Sequence, residues 1–225
     1  MATHDTEPPS SWRPLRAAVT LAVATLAAVG LVAVVHELAR PAIEAGERAR
    51  QTARLAAVLG GVRFDNDLLA DFVMLRDEEL LGTPDELPAH RARLHGKPVA
   101  VLLTAVAPGG YGGPIRLLVA VGHDGRLLGV RVLRHAETPG LGDAIDERRS
   151  DWIHAFAGRS LADPPPERWR VRRDGGDFDQ FTGATVTPRA VVAAVANALV
   201  CFERHREELF AAPSSPAADE RAAAR

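Results

Sequence analysis

Between Arg16 and His36 the chain reads AAVTLAVATLAAVGLVAVV, nineteen consecutive residues without a charged side chain. A run of that length is enough for an α-helix to cross the hydrocarbon of a bilayer. It forces the rest of the chain to be organised around a helix that no small soluble domain needs. A cleaved signal peptide is the competing reading. Its apolar region is normally shorter and ends at a small-residue cleavage site, whereas here the helical pattern runs on past Pro41. A retained anchor over residues 15–38 is the expectation. Arg13 and Arg16 lie at one end of the run and Arg40, Arg48, Arg50 and Arg54 beyond the other, so the charge rule for orientation leaves the topology open.

Residues 1–14 read as a polar tail. Residues 39–61, rich in Ala, Arg and Glu, continue helically as a stalk that would lift a domain off the bilayer, with Gly60 and Gly61 as its stop. What remains, residues 62–211, has the size of one ordinary domain, and the Ala/Pro/Ser-rich residues 212–225 read as a disordered tail. Within the domain, residues 82–88 form a turn-rich connection. The apolar run 99–107 predicts a buried strand, ending at the Pro108 to Pro114 glycine-rich loop. Two further strands, 115–122 and 127–133, are joined through Asp124-Gly125, a dipeptide suited to a tight hairpin. Residues 143–156 have helical spacing, 169–172 suit a short strand, and 188–210 predict an amphipathic helix with Pro188 in its first turn and Thr187 as its cap. The sum is an α+β domain with an antiparallel sheet and flanking helices behind one transmembrane helix.

Several chemistries are excluded by composition. A formal net charge of −2 gives no excess of cations for neutralising nucleic-acid phosphates. The single cysteine, Cys201, precludes an intramolecular disulfide, a four-thiolate zinc site and a self-contained iron–sulfur cluster, and its apolar surroundings mark it as a small core residue. The eight histidines, among them His90, His95, His135 and His205, show no ligand spacing, so no metal site is expected. The glycines at 109–113 lack the spacing and following helix of a dinucleotide fold, and neither a GxSxG nor a P-loop motif occurs. The acidic and basic residues of 143–151 read as a solvated face.

Two segments stand apart. Thr182-Gly183-Ala184-Thr185-Val186-Thr187 places three hydroxyls and two minimal side chains just before a helix N-terminus, where unpaired amides and the helix dipole attract an anion such as phosphate. The same threonines would equally serve as turn and capping residues. His135-Ala136-Glu137-Thr138-Pro139-Gly140-Leu141-Gly142-Asp143 follows the best-defined strand; it is either a plain connecting loop or a compact backbone able to lie against a flat ligand.

Together with Phe64-Asp65-Asn66-Asp67-Leu68-Leu69 and Gly110-Tyr111-Gly112-Gly113-Pro114-Ile115, these segments make the chain resemble the G subunit of the Rnf (Rsx) ion-translocating electron-transport complex. More distantly it is similar to the C subunit of sodium-pumping NADH:quinone reductase. The resemblance implies FMN held covalently, by a phosphoester, on Thr185, with Thr182 standing where many relatives have serine. It implies that Thr182, Gly183, Ala184, Glu137, Thr138, Pro139, Gly140, Leu141 and Gly142 surround the cofactor, and that Asp179 serves recognition by a flavin transferase. Arg189 is placed either to screen the phosphate or as an ordinary exposed arginine. The implied partners are the other membrane subunits of an Rnf-type complex, the flavin transferase and the lipid bilayer. The implied location is the bacterial inner membrane with the domain in the periplasm, and the implied role is electron transfer between ferredoxin and NAD that drives cation transport. A membrane-tethered FMN protein of another pathway, without ion pumping, fits the same motifs, and a plain binding module would carry no flavin.

Overall fold

The computed structural model describes residues 12–211. The expected tails at 1–11 and 212–225 lie outside them. The chain divides into two units, one up to Arg50 and one from Gln51 onward.

In the first unit, helix α1 (Trp12–Val58) carries the apolar run, and Val23, Leu26, Leu31, Val32 and Leu38 are all more than half exposed. Its length and composition allow it to cross a membrane. Two polar side chains inside the run satisfy themselves along the helix: the Thr20 and Thr25 hydroxyls donate to the carbonyls of Arg16 and Leu21 at 2.8 and 2.9 Å. Beyond it the helix continues through Pro41, with Arg40 reaching Glu37 and Glu44 one turn either side. It stops where expected, at Gly60 and Gly61, both of positive φ.

The second unit is an antiparallel meander whose five strands lie in chain order: β1 (Phe72–Leu75), β2 (Leu87–Leu94), β3 (Lys97–Ala107), β4 (Ile115–Gly122) and β5 (Leu127–Arg134). Helix α2 (Glu78–Leu81) sits between β1 and β2, and α3 (Val186–Arg204) and α4 (Arg206–Ala211) close the domain. One face of the sheet packs Val101, Leu103, Leu117 and Val119 against Val191, Val195, Leu199 and Phe202 of α3. The other packs Ala100, Leu102, Leu118 and Ala120 against Leu55, Val58 and Leu59 at the end of α1. Because both faces are covered, β3 and β4 read as unbroken apolar runs. Each fully buried Leu or Phe contributes roughly 1.5–3 kcal/mol to holding the layers together. α3 is apolar enough to pass for a membrane span, yet its apolar face is spent on this core.

The α+β class, the β3 strand and the β4–β5 hairpin match expectation; four local readings need correction. Residues 143–156 form not one helix but two short 3-10 turns, Gly142–Ile145 and Asp151–Phe156. Asp146 and Ser150 turn their side chains onto the backbone N–H groups of Arg148 and Trp152 and interrupt the helix. Residues 169–172 form no strand, only one bridge from Val171 to Phe178 between further 3-10 turns at Pro166–Arg168 and Arg172–Asp174. The helix expected over 188–210 begins earlier, at Val186, and breaks at His205, whose ring contacts Asp77 and Glu208 at 3.2 Å. Thr187 does not cap it; Thr185 occupies the capping position.

Strands β1 and β2 had no sequence signal. β2 buries Arg91, only 1% exposed, on the sheet, where its guanidinium meets Asp71 at 2.5 Å. A strand that buries an arginine in an ion pair reads as polar.

Candidate functional site

Three segments far apart in the chain converge at the N-terminus of α3. The turn before the helix is closed by a bond from the Ala184 N–H to the Phe181 carbonyl at 3.2 Å, with Gly183 at φ 82°. An L side chain is strained there, which accounts for the glycine. Facing it is the loop after β5, in which Leu141 N–H donates to the Thr138 carbonyl at 3.1 Å and Gly140 N–H to Asp143 Oδ1 at 2.7 Å. The third is the glycine-rich loop between β3 and β4. The three enclose a cleft of about 340 Å³ lined by Thr138, Leu141, Gly142, Gly183, Ala184 and Thr185, and by Tyr111, Glu137, Val186 and Thr187.

The tie between the segments is the Glu137 carboxylate, 5% exposed. Its Oε1 accepts from the Gly112 N–H at 2.9 Å, and its Oε2 accepts from the hydroxyl of Thr187, 1% exposed on α3. A methyl group at Gly142 would stand 2.6 Å from Oε2 and 2.9 Å from the Thr187 hydroxyl, so only glycine lets the loop close over this pair. A buried carboxylate is held by such charge-assisted bonds or it is not tolerated.

Thr185 is the opposite case. It stands at the start of a 19-residue helix, half-exposed on the cleft, and its hydroxyl makes no capping bond. Its one polar neighbour is Arg189 Nη1 at 3.5 Å, one turn along the helix. The Arg189 guanidinium is held against Asp174 by two bonds of 2.5 and 2.7 Å, which lower the Asp174 carboxyl and raise the arginine. A free hydroxyl, helix-terminal amides, a fixed cation and a floor of Gly and Ala form a seat suited to a phosphate ester. The apolar side chains of Tyr111, 75% exposed, Leu141 and Val186 stand around it. The donor set and the room left by Gly183 and Ala184 therefore fit a flavin mononucleotide.

Of the remaining expected residues, Thr182 is exposed and does not line the cleft. Pro139 lines a neighbouring cleft of about 320 Å³ with His135, Asp143, Asp146 and Arg148, and Gly140 forms the turn of the loop. Asp179 lies outside both, its carboxylate 2.9 Å from Arg172 and its carbonyl taking the Trp152 indole N–H at 2.8 Å. Sequence reasoning had not assigned Tyr111 or Val186 to the site, nor paired Arg189 with Asp174. No spacing rule relates these positions; the tertiary fold does.

In the neighbouring cleft Arg148 bonds to both oxygens of Asp146, at 2.6 to 3.2 Å, and pulls that carboxyl from 3.8 down to about 2. A depressed folded-state pKa means stability present above the ordinary value and lost as pH falls through the folded one. The stability gap between wild type and Asp146→Asn is accordingly expected to be flat above about pH 4 and to close between 3.8 and about 2. Arg148 is exposed, so the gap stays below about 1 kcal/mol. Thermal unfolding across that pH range measures it.

Asp77, Cys201 and His205 also meet, with ligand-type atoms within 4.8 Å of one another. Asp77 caps α2 through the Leu80 N–H and pairs with Arg204 and His205. Burial pushes the Cys201 thiol up to about 12. The group acts as a hydrogen-bonded tie between α2 and α3.

Residues 110–200 match the family model of the FMN-binding domain, and residues 14–58 that of the RnfG N-terminal region. The chain is 49% identical over 197 residues to the G subunit of the ion-translocating oxidoreductase complex of Pseudomonas aeruginosa, covering 88% of this chain and 92% of that protein. It is 47% identical over 193 residues to the G subunit of the same complex from Vibrio atlanticus, covering 86% and 92%. The Shewanella oneidensis G subunit is 45% identical, covering 86% and 91%. Identity at this level across nearly the whole of both chains, with family models matched over residues 14–58 and 110–200, places the chain in a family: it belongs to the G subunits of ion-translocating oxidoreductase complexes.

Proposed function

We propose that this chain is a membrane-anchored flavoprotein subunit that carries FMN covalently on Thr185 and passes electrons within an ion-translocating ferredoxin/NAD oxidoreductase complex. The observation that carries the reading is the Thr185 hydroxyl, uncommitted to a cap, on a cleft at a helix N-terminus. FMN, when bound, supplies one- and two-electron redox chemistry that side chains cannot. The protein's own part is position and electrostatics. Thr185 anchors the phosphate through its oxygen, Arg189 balances the phosphate charge, Gly183 and Ala184 let the ring approach the backbone, and Gly142 lines the cleft where the loop closes on Glu137 and Thr187. Thr138, Pro139, Gly140 and Leu141 shape the opposite wall, and Glu137 holds that wall to α3. Thr182 flanks the attachment point, and Asp179, exposed on the approach to the motif, is the recognition residue for a flavin transferase.

In this reading residues 15–38 cross the bacterial inner membrane once, 39–61 form the stalk and 62–211 the periplasmic FMN-binding domain. The subunit does not turn over substrate alone; its partners are the other membrane subunits of the complex, which its relatives' names imply. Covalent attachment suits a cleft this open, because a phosphoester prevents loss of the cofactor without deep burial.

The test is the denatured protein. Full-length chain, exported together with a flavin transferase, is expected to give a band that fluoresces as flavin after denaturing electrophoresis. A dark band, with the transferase active on a control substrate, would overturn the assignment.

A further inference from the structure

Many arginines around the 3-10 turns and α3 are matched to a carboxylate: Arg131 to Glu147, Arg148 to Asp146, Arg149 to Asp143, Arg168 to Asp177, Arg172 to Asp179 and Arg189 to Asp174, with Arg170 and Arg173 acting on Asp174 at longer range. Arg116 and Arg134 break the pattern. They are direct cross-strand partners on β4 and β5, so their side chains leave the same face of the sheet, both are exposed, and neither is in an ion pair among the described residues. Like charges placed opposite each other on a sheet cost stability. Nothing in the packing needs them, since the strands end here. The register also shifts between Arg116 and Leu117, a bulge of the kind that re-aims a side chain.

Both arginines line a cleft of about 560 Å³, the roomiest of those around the sheet's end described here, whose other walls include Val106, Pro108 and Pro114. The one carboxylate on its wall, Asp85, takes the Thr83 hydroxyl at 3.3 Å. The next residues after Arg134 are His135 and Ala136, which line this cleft, and then Glu137, which lines the proposed FMN cleft. A partner seated here would therefore lie directly beside the loop that walls the cofactor.

We propose that the Arg116–Arg134 cleft is a docking site for an acidic segment of a neighbouring protein subunit. Its aspartates or glutamates pair with the two guanidiniums while its backbone lies on the proline and valine walls. The size and mixed apolar and cationic lining favour a peptide segment over a small anion, which would be gripped by converging amides. The proposal rests on the reading of the chain as one subunit of a complex. It adds where the neighbour sits, and that electrostatic docking brings it up to the flavin side of the domain.

Lys97 is the only lysine in the chain. It begins β3, whereas Val106, the residue opposite Arg116, lies near the other end of that 11-residue strand. Amine chemistry at the cleft can thus be introduced almost without background. The full chain carrying Arg116→Lys and Arg134→Lys is expressed with its transferase and neighbouring membrane subunits, and membranes are treated with a zero-length carbodiimide, which joins an amine only to a carboxylate in contact. The expected result is a cross-linked peptide joining position 116 or 134 to an acidic residue of another protein, mapped by mass spectrometry and absent from the wild type, whose own carboxylates can couple only to partner amines. It should disappear at about 1 M salt, where the screening length falls to about 3 Å. In parallel, Arg116→Glu with Arg134→Glu should lower co-purification of the partner roughly tenfold or more.

Absence of the adduct in complexes that still co-purify would overturn the proposal. So would charge-reversed protein that keeps its partner undiminished, since the two arginines then carry none of the docking. Flavin fluorescence of the same bands reads the cofactor assignment separately: a dark band that still cross-links retains the docking site and refutes the FMN site, and a fluorescent band without an adduct does the reverse.

Discussion

Thr185→Val is expected to yield a folded, membrane-bound chain whose denatured band carries no flavin. Valine keeps the shape of threonine and removes only the hydroxyl. That hydroxyl makes no capping bond, and the side chain is half-exposed on an open cleft. The loss of stability should stay within about 0.5 kcal/mol, as for other surface changes that break no cap. The comparison that gives the result meaning is its neighbour. Thr187→Val removes a buried hydroxyl that donates to Glu137, leaves that carboxylate short of a partner, and should cost about 1–3 kcal/mol while leaving the attachment oxygen in place. Thr182→Val, at an exposed position off the cleft, should change neither property. In-gel fluorescence and thermal melts on the three variants separate chemistry from architecture. A Thr185→Val protein that melts early, or one that still fluoresces, would return the motif to a structural turn.

Glu137→Ala is expected to have the largest effect on the fold around the cleft. It strips acceptors from the Gly112 N–H and the Thr187 hydroxyl at once, and water does not easily substitute at the buried hydroxyl. Leaving the buried Thr187 hydroxyl unsatisfied, while the Gly112 N–H turns to water, costs about 1–3 kcal/mol, which for a domain of this size lowers the melting temperature by roughly 2–12 °C. Glu137→Gln retains an acceptor for Gly112 and should lose about half as much. A double-mutant cycle with Thr187→Val should show coupling of about 1 kcal/mol or more, since the two groups share one bond. Flavin loading of Glu137→Ala measured alongside tests whether the transferase needs the cleft assembled; unchanged stability in this variant would show that the three segments are held by something other than the carboxylate.

The parts of this protein that were legible in the sequence are those governed by short-range rules. The apolar run of α1 shows as uninterrupted hydrophobicity, β3 and β4 show because both faces of the sheet are covered, and the β4–β5 turn shows through Asp124-Gly125. The motif ending at Thr185 was legible as a candidate anion seat because its hydroxyls and minimal side chains are contiguous just before a helix N-terminus. By contrast, β1 and β2 were hidden. Their pairing depends on burying Arg91 against Asp71, 20 residues away, and two arginines in a run of eight argue against a strand until their shared partner is known. The stretch 143–156 had helical spacing but lost its helix to Asp146 and Ser150, whose side chains compete locally for the backbone.

The sequence by itself determined the apolar N-terminal helix and the α+β class, and marked a contiguous candidate motif ending at Thr185, because hydrophobic length, strand patterning and a short motif are properties of neighbours in the chain. Only the tertiary structure decided what Thr187 and Glu137 do, 50 residues apart and joined by one bond, and that Arg189 is oriented by Asp174 while Arg116 and Arg134 are left unmatched. The physical reason is that a side chain's energy depends on which groups surround it after burial, and the chain does not carry that information until the sheet and α3 have closed on one another.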